Sequence, residues 1–273
     1  MTHRSILALA PNGAYKQKTD HPALPLQLEE IVRAAGEAQR AGVTLLHLHI
    51  RDQNHQHSLD PIRYRRTIDA IEDKLGDKLI IQITSEAAGK FSPAEQIASI
   101  QSVKPACVSI ALRELIADRT QEPQAQALFH WCAEQACRAQ FILYSEADLL
   151  AYFRYRQLDI IPDSAHSVLF VLGRYHRNTQ SSIEDLTPYL KHAHRLDVPW
   201  MVCAFGSSEQ AVVLEAASQG GHIRIGFENN LLRSDASVSK NNTQQVKDLR
   251  NASTERNIQI ADIKETRVIL AID

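Results

Sequence analysis

The sequence has little that would direct the protein to a nucleic acid or to a membrane. Its 273 residues include 30 lysines and arginines against 32 aspartates and glutamates, and the net charge of −2 comes from dispersed rather than clustered residues. A nucleic-acid-binding domain usually presents a basic patch. The longest apolar runs, such as residues 168–172, are far shorter than the roughly 20 residues that a membrane-spanning helix needs. We therefore expect neither a nucleic-acid partner nor a membrane span.

The chain also lacks a secretory signal and a cysteine motif. The apolar run within its first ten residues is too short for a signal peptide, so the cytoplasm is the expected location. The cysteines have neither the spacing of a zinc knuckle nor that of a redox pair, and we expect them to be buried free thiols. They are Cys107, Cys132, Cys137 and Cys203.

No low-complexity linker or repeat motif interrupts the chain, in which short apolar runs alternate with helix-like segments. Residues 28–42 have the apolar spacing of an amphipathic helix closed by glycine. Residues 92–95 have the pattern of a capping box, and residues 207–210 resemble another. We count eight strands, at residues 5–10, 44–50, 79–84, 106–111, 140–145, 167–172, 200–204 and 222–226.

Eight βα units in succession favour a (β/α)₈ TIM barrel, an α/β fold in which residues 1–273 form a single domain. A doubly wound open sheet is the structural alternative. In a barrel the functional side chains gather at the carboxyl ends of the strands.

The most informative segment is His-Leu-His-Ile-Arg-Asp at residues 47–52. Side chains alternate along a strand, so His47, His49 and Arg51 should share one face. Polar groups on a strand that is apolar on its other face cost free energy unless they are paired or bound. A divalent metal ion would account for the two imidazoles, provided that a third ligand exists.

Glu228 is the candidate third ligand, because it follows the strand-like run in residues 220–226. Two histidines and a glutamate are a common ligand set for catalytic zinc, although other divalent metals accept the same ligands. In a barrel the eighth strand closes against the first, beside the second. His47, His49 and Glu228 can then meet on one ion.

Three motifs together resemble the β-keto acid cleavage enzymes, typified by 3-keto-5-aminohexanoate cleavage enzyme. They are the segment at 47–52, the early Asn-Gly-Ala at 12–14 with His-Pro-Ala-Leu-Pro at 21–25 and Glu-Glu-Ile at 29–31, and residues 220–230. The resemblance runs from about residue 5 to residue 250. It implies a zinc-dependent barrel, usually tetrameric, with a role in amino acid catabolism. Such an enzyme condenses a β-keto acid with acetyl-CoA and releases acetoacetate and a new CoA thioester.

The resemblance also implies roles for individual residues. The zinc ligands of the family fall on His47, His49 and Glu228. The arginine that helps to organise the reacting groups falls on Arg224, and a hydroxyl residue at the end of strand three falls on Thr84 or Ser85.

The chain departs from the family at two positions. Asn229 stands where the family has an aspartate that acts as the catalytic base, and Tyr15 stands where relatives often have an acid. An amide cannot accept a proton at neutral pH, though Asn229 can position a substrate oxygen. Candidate replacement bases are Glu86 after strand three and Glu146 or Asp148 after strand five.

Other polar residues are expected near the barrel mouth, where they could contact substrate or CoA. Arg174 follows strand six, where a cation would suit the phosphates of CoA. Arg51, Tyr144 and Arg113, the last followed by Glu114, are the further candidates. We expect the remaining polar-segment histidines to be surface groups, namely His55, His57, His192 and His194.

Two other functions remain open. Metal-dependent barrel hydrolases also carry His-x-His on a strand, but they typically add histidines from strands five and six and an aspartate from strand eight. A non-catalytic sensor of β-keto acids or acyl-CoA is the second alternative, because Asn229 replaces the base. No lysine falls at the end of a predicted strand, which argues against an aldolase that forms a Schiff base.

Overall fold

A computed structural model describes residues 3–174 and 180–272. Eight parallel strands close into one barrel in sequence order, which confirms the predicted TIM barrel and excludes the open sheet. Every strand bound lies within two residues of its predicted position. The strands are β1 (Leu7–Leu9), β2 (Leu45–Leu48), β3 (Ile80–Thr84), β4 (Cys107–Ala111), β5 (Arg138–Leu143), β6 (Ser167–Leu172), β7 (Trp200–Ala204) and β8 (His222–Ile225).

The closure of the barrel brings together the two site motifs, which lie near opposite ends of the sequence. Arg224 on β8 pairs in register with Ala8 on β1, and Ala8 pairs with Leu45 on β2. β8 and β2 are therefore separated by the short strand β1 alone. Residues that follow β2 and β8 project over the same end of the barrel.

Helices cover the outside of the barrel, and each barrel strand is followed by one. They are α1 (Leu28–Arg40), α2 (Pro61–Leu75), α3 (Pro93–Val103), α4 (Glu122–Glu134), α5 (Glu146–Gln157), α6 (Thr187–Leu190), α7 (Glu209–Ser218) and α8 (Asn242–Glu255). A single turn, Leu112–Leu115, precedes α4, and α9 (Ile263–Leu270) follows α8. No helix among the described residues is long and apolar enough to cross a membrane.

The helix ends test the capping predictions. The capping box of α3 forms as expected, with Ser92 Oγ accepting from the Glu95 backbone N–H and the Glu95 carboxylate accepting from the Ser92 N–H. The box expected at 207–210 is wrong. Ser208 is the N-cap of α7, but it has a helical backbone and its hydroxyl donates to the carbonyl of Ser181. The tertiary contact therefore replaces the local cap.

Two apolar layers hold the barrel. The larger lies between strands and helices and includes the fully buried rings of Phe129, Phe141 and Tyr152. The smaller fills the barrel interior and includes Leu169 and Met201. All four cysteines are buried free thiols, as predicted.

The chain leaves the barrel directly after β2. His49 lies between β2 and a two-residue segment, Ile50–Arg51, that pairs antiparallel with His57–Ser58. This ribbon stands above the carboxyl end of the barrel. A second short ribbon pairs Arg4–Ser5, near the start of the chain, with Gln259–Ile260, near its end.

Candidate metal centre and active site

His47, His49 and Glu228 converge at the carboxyl end of β2 and β8. Nε2 of His49 lies 3.1 Å from Nε2 of His47 and 3.2 Å from Oε2 of Glu228, and His47 Nε2 lies 3.5 Å from the same oxygen. Ligands of a tetrahedral zinc ion at ordinary bond lengths lie roughly 3.3–3.5 Å apart. Among the described residues these three form the cluster of side chains that could hold a metal ion.

The protonation of His47 and Glu228 also fits a cation. The side-chain oxygen of Gln82 accepts a hydrogen bond from Nδ1 of His47 at 2.8 Å, which leaves the lone pair of Nε2 free. Burial lowers the pKa of His47 to about 3, so the imidazole is neutral at physiological pH. Burial would raise the pKa of Glu228, but Arg224 and the two imidazoles hold it well below its ordinary value. A neutral imidazole and an ionised carboxylate are both groups that ligate a catalytic zinc ion.

Two glycines let the backbone reach this arrangement. Gly226 has a φ of +135°, and a Cβ there would lie 2.3 Å from the carbonyl oxygen of Ala10. Gly13 has a φ of +65°, and a Cβ would lie 2.6 Å from Cγ of Glu228. Side chains at these positions would displace the turn that carries Glu228.

Arg224 lies beneath Glu228, with 2% of its surface exposed. Its Nη2 donates to Oε1 of Glu228 at 3.2 Å and to Sγ of Cys203 at 3.2 Å. Nε and Nη1 of Arg224 and both amide atoms of Asn229 are buried without a hydrogen-bond partner among the described residues. Nearly all buried polar groups in proteins have a hydrogen-bond partner, so these atoms call for a bound water, an ion or a ligand, or for a catalytic role.

Glu86 brings a second carboxylate to the centre. Its Oε2 lies 3.8 Å from Nε2 of His49, and its Oε1 accepts a hydrogen bond from Nη2 of Arg174 at 3.0 Å. The guanidinium of Arg174 lies over the rings of Tyr15 and Phe205, 5.0 and 5.4 Å from their centres. Glu86 is therefore held beside the histidines by a cation that is itself fixed by two aromatic rings.

Two cavities adjoin the triad. An inner cavity of about 20 Å³ is lined on its polar side by Thr84, Glu86 and Arg224 with the triad residues His47 and Glu228. A mouth cavity of about 650 Å³ opens above it, lined by residues that follow β1, β3, β6, β7 and β8. Glu86, Arg174, Phe205 and Glu228 line both.

The structure separates the two hydroxyl candidates after strand three. Thr84 lines the inner cavity, and its Oγ1 accepts from the Glu86 backbone N–H at 3.1 Å. The Ser85 hydroxyl donates to the carbonyl of Ser109 at 3.1 Å and does not line either cavity. Thr84 is therefore the residue placed to meet a ligand.

Several other predicted site residues are engaged elsewhere. The guanidinium of Arg51 donates to the backbone carbonyls of Gly13, Lys16 and His55, so it fixes the loop after β1. Arg113 pairs with Asp148 at 2.6 Å and lies over the ring of Tyr144, which itself lines the inner cavity. Glu146 accepts from His192 at 2.8 Å. Of the three candidate bases, Glu86 is the one that faces the triad.

The surface prediction is wrong for His57. This residue is 5% exposed, its ring centre lies 5.3 Å from that of His49, and its Nε2 lies 2.8 Å from the backbone oxygen of Glu86. The ribbon after β2 folds back over the centre and thereby buries His57. His194 is exposed as expected, whereas His55 and His192 are partly buried.

Sequence reasoning missed three residues near the centre. Lys16 donates to the backbone oxygen of Glu228 at 2.6 Å and lines the mouth cavity. Gln82 orients His47, and its signal was available: a lone amide in an apolar strand, on the same face as Thr84. Glu209 is buried at the start of α7, and its carboxylate accepts from the Gly226 N–H and the Asn230 side chain, each at 3.2 Å.

We expect Gln82→Leu to weaken metal binding without unfolding the protein. The substitution removes the acceptor that fixes the tautomer and the orientation of His47. Loss of such a partner typically costs about 10- to 100-fold in metal affinity. Competition with a chelator of known affinity measures the Kd, and circular dichroism checks the fold. An unchanged Kd would show that His47 needs no partner.

We expect Glu209→Gln to change how stability depends on pH. Burial raises the pKa of Glu209 to about 8, whereas the unfolded carboxyl titrates near 4.3. The folded state then binds more protons, so wild-type stability falls as pH rises between these two values. The variant has no carboxyl to titrate here. Its free energy of unfolding should therefore rise by roughly 1–4 kcal/mol relative to that of the wild type between pH 5 and pH 8. Thermal unfolding of both proteins across that range, with Glu215→Gln on the same helix as control, tests it; parallel curves would contradict it.

The fold and this centre define a class: (β/α)₈ barrel enzymes whose active site holds a candidate metal centre built from β2 and β8. The particular family follows from the whole sequence. The chain belongs to the beta-keto acid cleavage enzyme family, whose sequence profile matches residues 4–272. The resemblance drawn from the three motifs is thereby confirmed.

Curated relatives of this family cover nearly the whole chain. The 3-keto-5-aminohexanoate cleavage enzyme of Fusobacterium nucleatum subsp. nucleatum is 26% identical over 277 aligned residues, which cover 100% of this chain and 99% of that protein. The 3-oxoadipate:acetyl-CoA acetyltransferase of Cupriavidus necator is 23% identical, with 100% and 96% covered.

Solved structures support the fold. A ternary complex of ObcA with a C4-CoA adduct and oxalate superposes with a TM-score of 0.71 at 14% identity, covering 92% of this chain and 68% of ObcA. The type I 3-dehydroquinate dehydratase of Clostridium difficile superposes with a TM-score of 0.59 at 7% identity, with 93% and 94% covered. At these identities the likeness concerns the barrel alone.

Proposed function

We propose that the protein cleaves a β-keto acid with acetyl-CoA as co-substrate, releasing acetoacetate and a new acyl-CoA. The observation that carries the proposal is the convergence of His47, His49 and Glu228 beside an arginine with unpartnered donors, in a chain of this family. Two curated relatives are named for transfers that use acetyl-CoA.

We propose zinc as the resident metal, with His47, His49 and Glu228 as its ligands. Bound there, it would supply a Lewis acid for the ketone oxygen of the substrate. From the family resemblance we also predict that the protein is a homotetramer, that it works in the cytoplasm and that it belongs to amino acid catabolism. Manganese, cobalt or iron would accept the same ligands.

Arg224 and Thr84 are proposed to orient the β-keto acid. Nε and Nη1 of Arg224 each have a free N–H to donate, and a buried guanidinium charge suits the carboxylate of the substrate. The hydroxyl of Thr84 faces the same cavity. The buried amide of Asn229 offers both a donor and an acceptor at the cavity mouth. These groups hold the substrate so that its C2 carbon faces a base.

Glu86 is proposed to be the base that removes the C2 proton. Its carboxylate adjoins His49 and lines both cavities, and Asn229 cannot accept a proton there. Arg174 keeps Glu86 in place and is a cation at the mouth, where we propose that it also contacts CoA. An unchanged KM for acetyl-CoA in Arg174→Gln would refute the contact with CoA.

Mass spectrometry of the reaction tests the function directly. Zinc-loaded protein is incubated with a panel of β-keto acids and acetyl-CoA that carries isotope label in its acetyl group. We expect labelled acetoacetate together with the matching acyl-CoA, and neither product with the His49→Ala variant. Metal-loaded protein that binds these acids without turnover would instead support the sensor, and release of free CoA alone would support a hydrolase.

A further inference from the structure

The two cavities at the triad differ in size and in lining. The mouth cavity, about 650 Å³, is open and lies in the range of 300–1,000 Å³ that is typical of ligand sites. The inner cavity, about 20 Å³, has room for about one water-sized group. Because Glu228 lines both cavities, the two cavities meet at the triad, and a substrate bound there has access to each of them.

The size difference assigns the two substrates of the proposed reaction to different sides. The thioester arrives on a long pantetheine arm, which needs the open mouth. The β-keto acid must then direct its side chain, the group beyond the ketone, away from that arm. Because Arg224 is proposed to hold the carboxylate, the space assigned to the side chain is the part of the inner cavity away from Arg224, over the ends of β4 to β6.

The wall of the inner cavity opposite the triad is apolar. Ala111 ends β4, Ile142 lies on β5 and Val171 lies on β6, and all belong to the apolar interior of the barrel. Phe205 closes the cavity after β7. The Arg224–Glu228 pair lies on the side of the triad. On the side of β5 and β6, Tyr144 follows Ile142, and Arg174, which pairs with Glu86, follows Val171, so these polar groups lie nearer the carboxyl ends of the strands than the apolar side chains.

We propose that the preferred substrate is a β-keto acid with a small, uncharged side chain of two carbons. Ala111, Ile142 and Val171 set this limit. The inference rests on the proposed function. In the reaction the bond between C2 and C3 of the keto acid breaks, its acyl group passes to the sulfur of CoA, and the acetyl group of acetyl-CoA joins C2. R–CO–CH₂–COO⁻ and acetyl-CoA thus give R–CO–S–CoA and acetoacetate.

A charged side chain is excluded by the cost of desolvation. A carboxylate or ammonium group against Ile142 and Val171 would lose its water and gain no hydrogen-bond partner from these two side chains. The names of two relatives indicate substrates with such groups, a second carboxylate in 3-oxoadipate and an amine in 3-keto-5-aminohexanoate. This chain should therefore differ from both relatives in substrate.

A panel of acids tests the inference. Initial rates are measured by mass spectrometry of the acyl-CoA product from 3-oxopentanoate, 3-oxohexanoate, 3-oxoadipate and 5-amino-3-oxohexanoate. We expect kcat/KM for 3-oxopentanoate to exceed that for 3-oxohexanoate by at least about 10-fold and that for the two charged acids by at least about 100-fold. A charged or longer acid as the best substrate would overturn the inference and leave the proposed function standing. No acyl-CoA from any acid would overturn the proposed function and the inference with it.

Variants of the wall give a second test, because a ratio between two substrates is insensitive to partial loss of folded protein. Val171→Ala enlarges the cavity and should raise the 3-oxohexanoate to 3-oxopentanoate ratio of kcat/KM at least about 5-fold, whereas Ala111→Val should lower it. Val168→Ala is the matched control, since Val168 lies on the same strand and packs in the outer apolar layer. Equal ratios in all four proteins would show that this wall does not contact the substrate.

Discussion

Replacing His49 with alanine should abolish stoichiometric zinc binding and lower kcat/KM by at least about 1,000-fold. The remaining ligands, His47 and Glu228, lie 3.5 Å apart and supply two of the three donor atoms. A metal ion contributes several kcal/mol to the transition state of such reactions, and each 1.36 kcal/mol is about tenfold in rate. Metal content by atomic spectroscopy and the labelled-acetoacetate assay give the two readouts.

The matched control is His194→Ala, which removes an exposed imidazole far from β2 in sequence. It should keep one equivalent of metal and the wild-type rate. Thermal unfolding adds a readout that is independent of turnover. Zinc at about 100 times its Kd should stabilise the wild type by about 2.7 kcal/mol and should leave His49→Ala unchanged. A His49→Ala protein with one equivalent of metal and full activity would remove the triad from the proposal.

The barrel and the meeting of the triad were predictable from local patterns. Alternating apolar strands and capped helices predict βα units, and eight of them close in one way. That closure places β8 beside β1 and β1 beside β2, so two distant motifs become neighbours. The Glu228 prediction followed from this topology and from the place of Glu228 just after the strand-like run, although Glu228 lies in a turn beyond the end of β8.

The environment of individual side chains was not predictable in the same way. His57 lies in a polar segment, which is typical of a surface loop, yet the ribbon buries it against His49. Arg51 was expected to share a strand face with the two histidines. The chain instead leaves the barrel after β2, and the guanidinium of Arg51 donates to backbone carbonyls. Both outcomes depend on where the chain leaves the barrel, and strand periodicity carries no information about that point.

The proposed base lies on a different strand end from the amide that replaces the aspartate of the family. Asn229 follows Glu228 in the turn after β8, whereas Glu86 follows β3, three strands further round the barrel. Both line the same mouth cavity. A carboxylate lost from one strand end can thus be supplied by another, because all strand ends of a barrel face one centre.

We expect Glu86→Gln to lower kcat about 100- to 10,000-fold while one equivalent of metal stays bound. General-base catalysis contributes this range, and glutamine keeps the size and hydrogen bonding of the side chain without the capacity to take a proton. Because Oε2 of Glu86 lies 3.8 Å from His49 Nε2, the metal content separates loss of a base from loss of the centre. Asn229→Asp in the Glu86→Gln background should recover part of the rate, since it restores a carboxylate at the same cavity. Glu146→Gln, which alters a carboxylate that lines neither cavity, should match the wild type. A wild-type kcat in Glu86→Gln would mean that another group takes the proton.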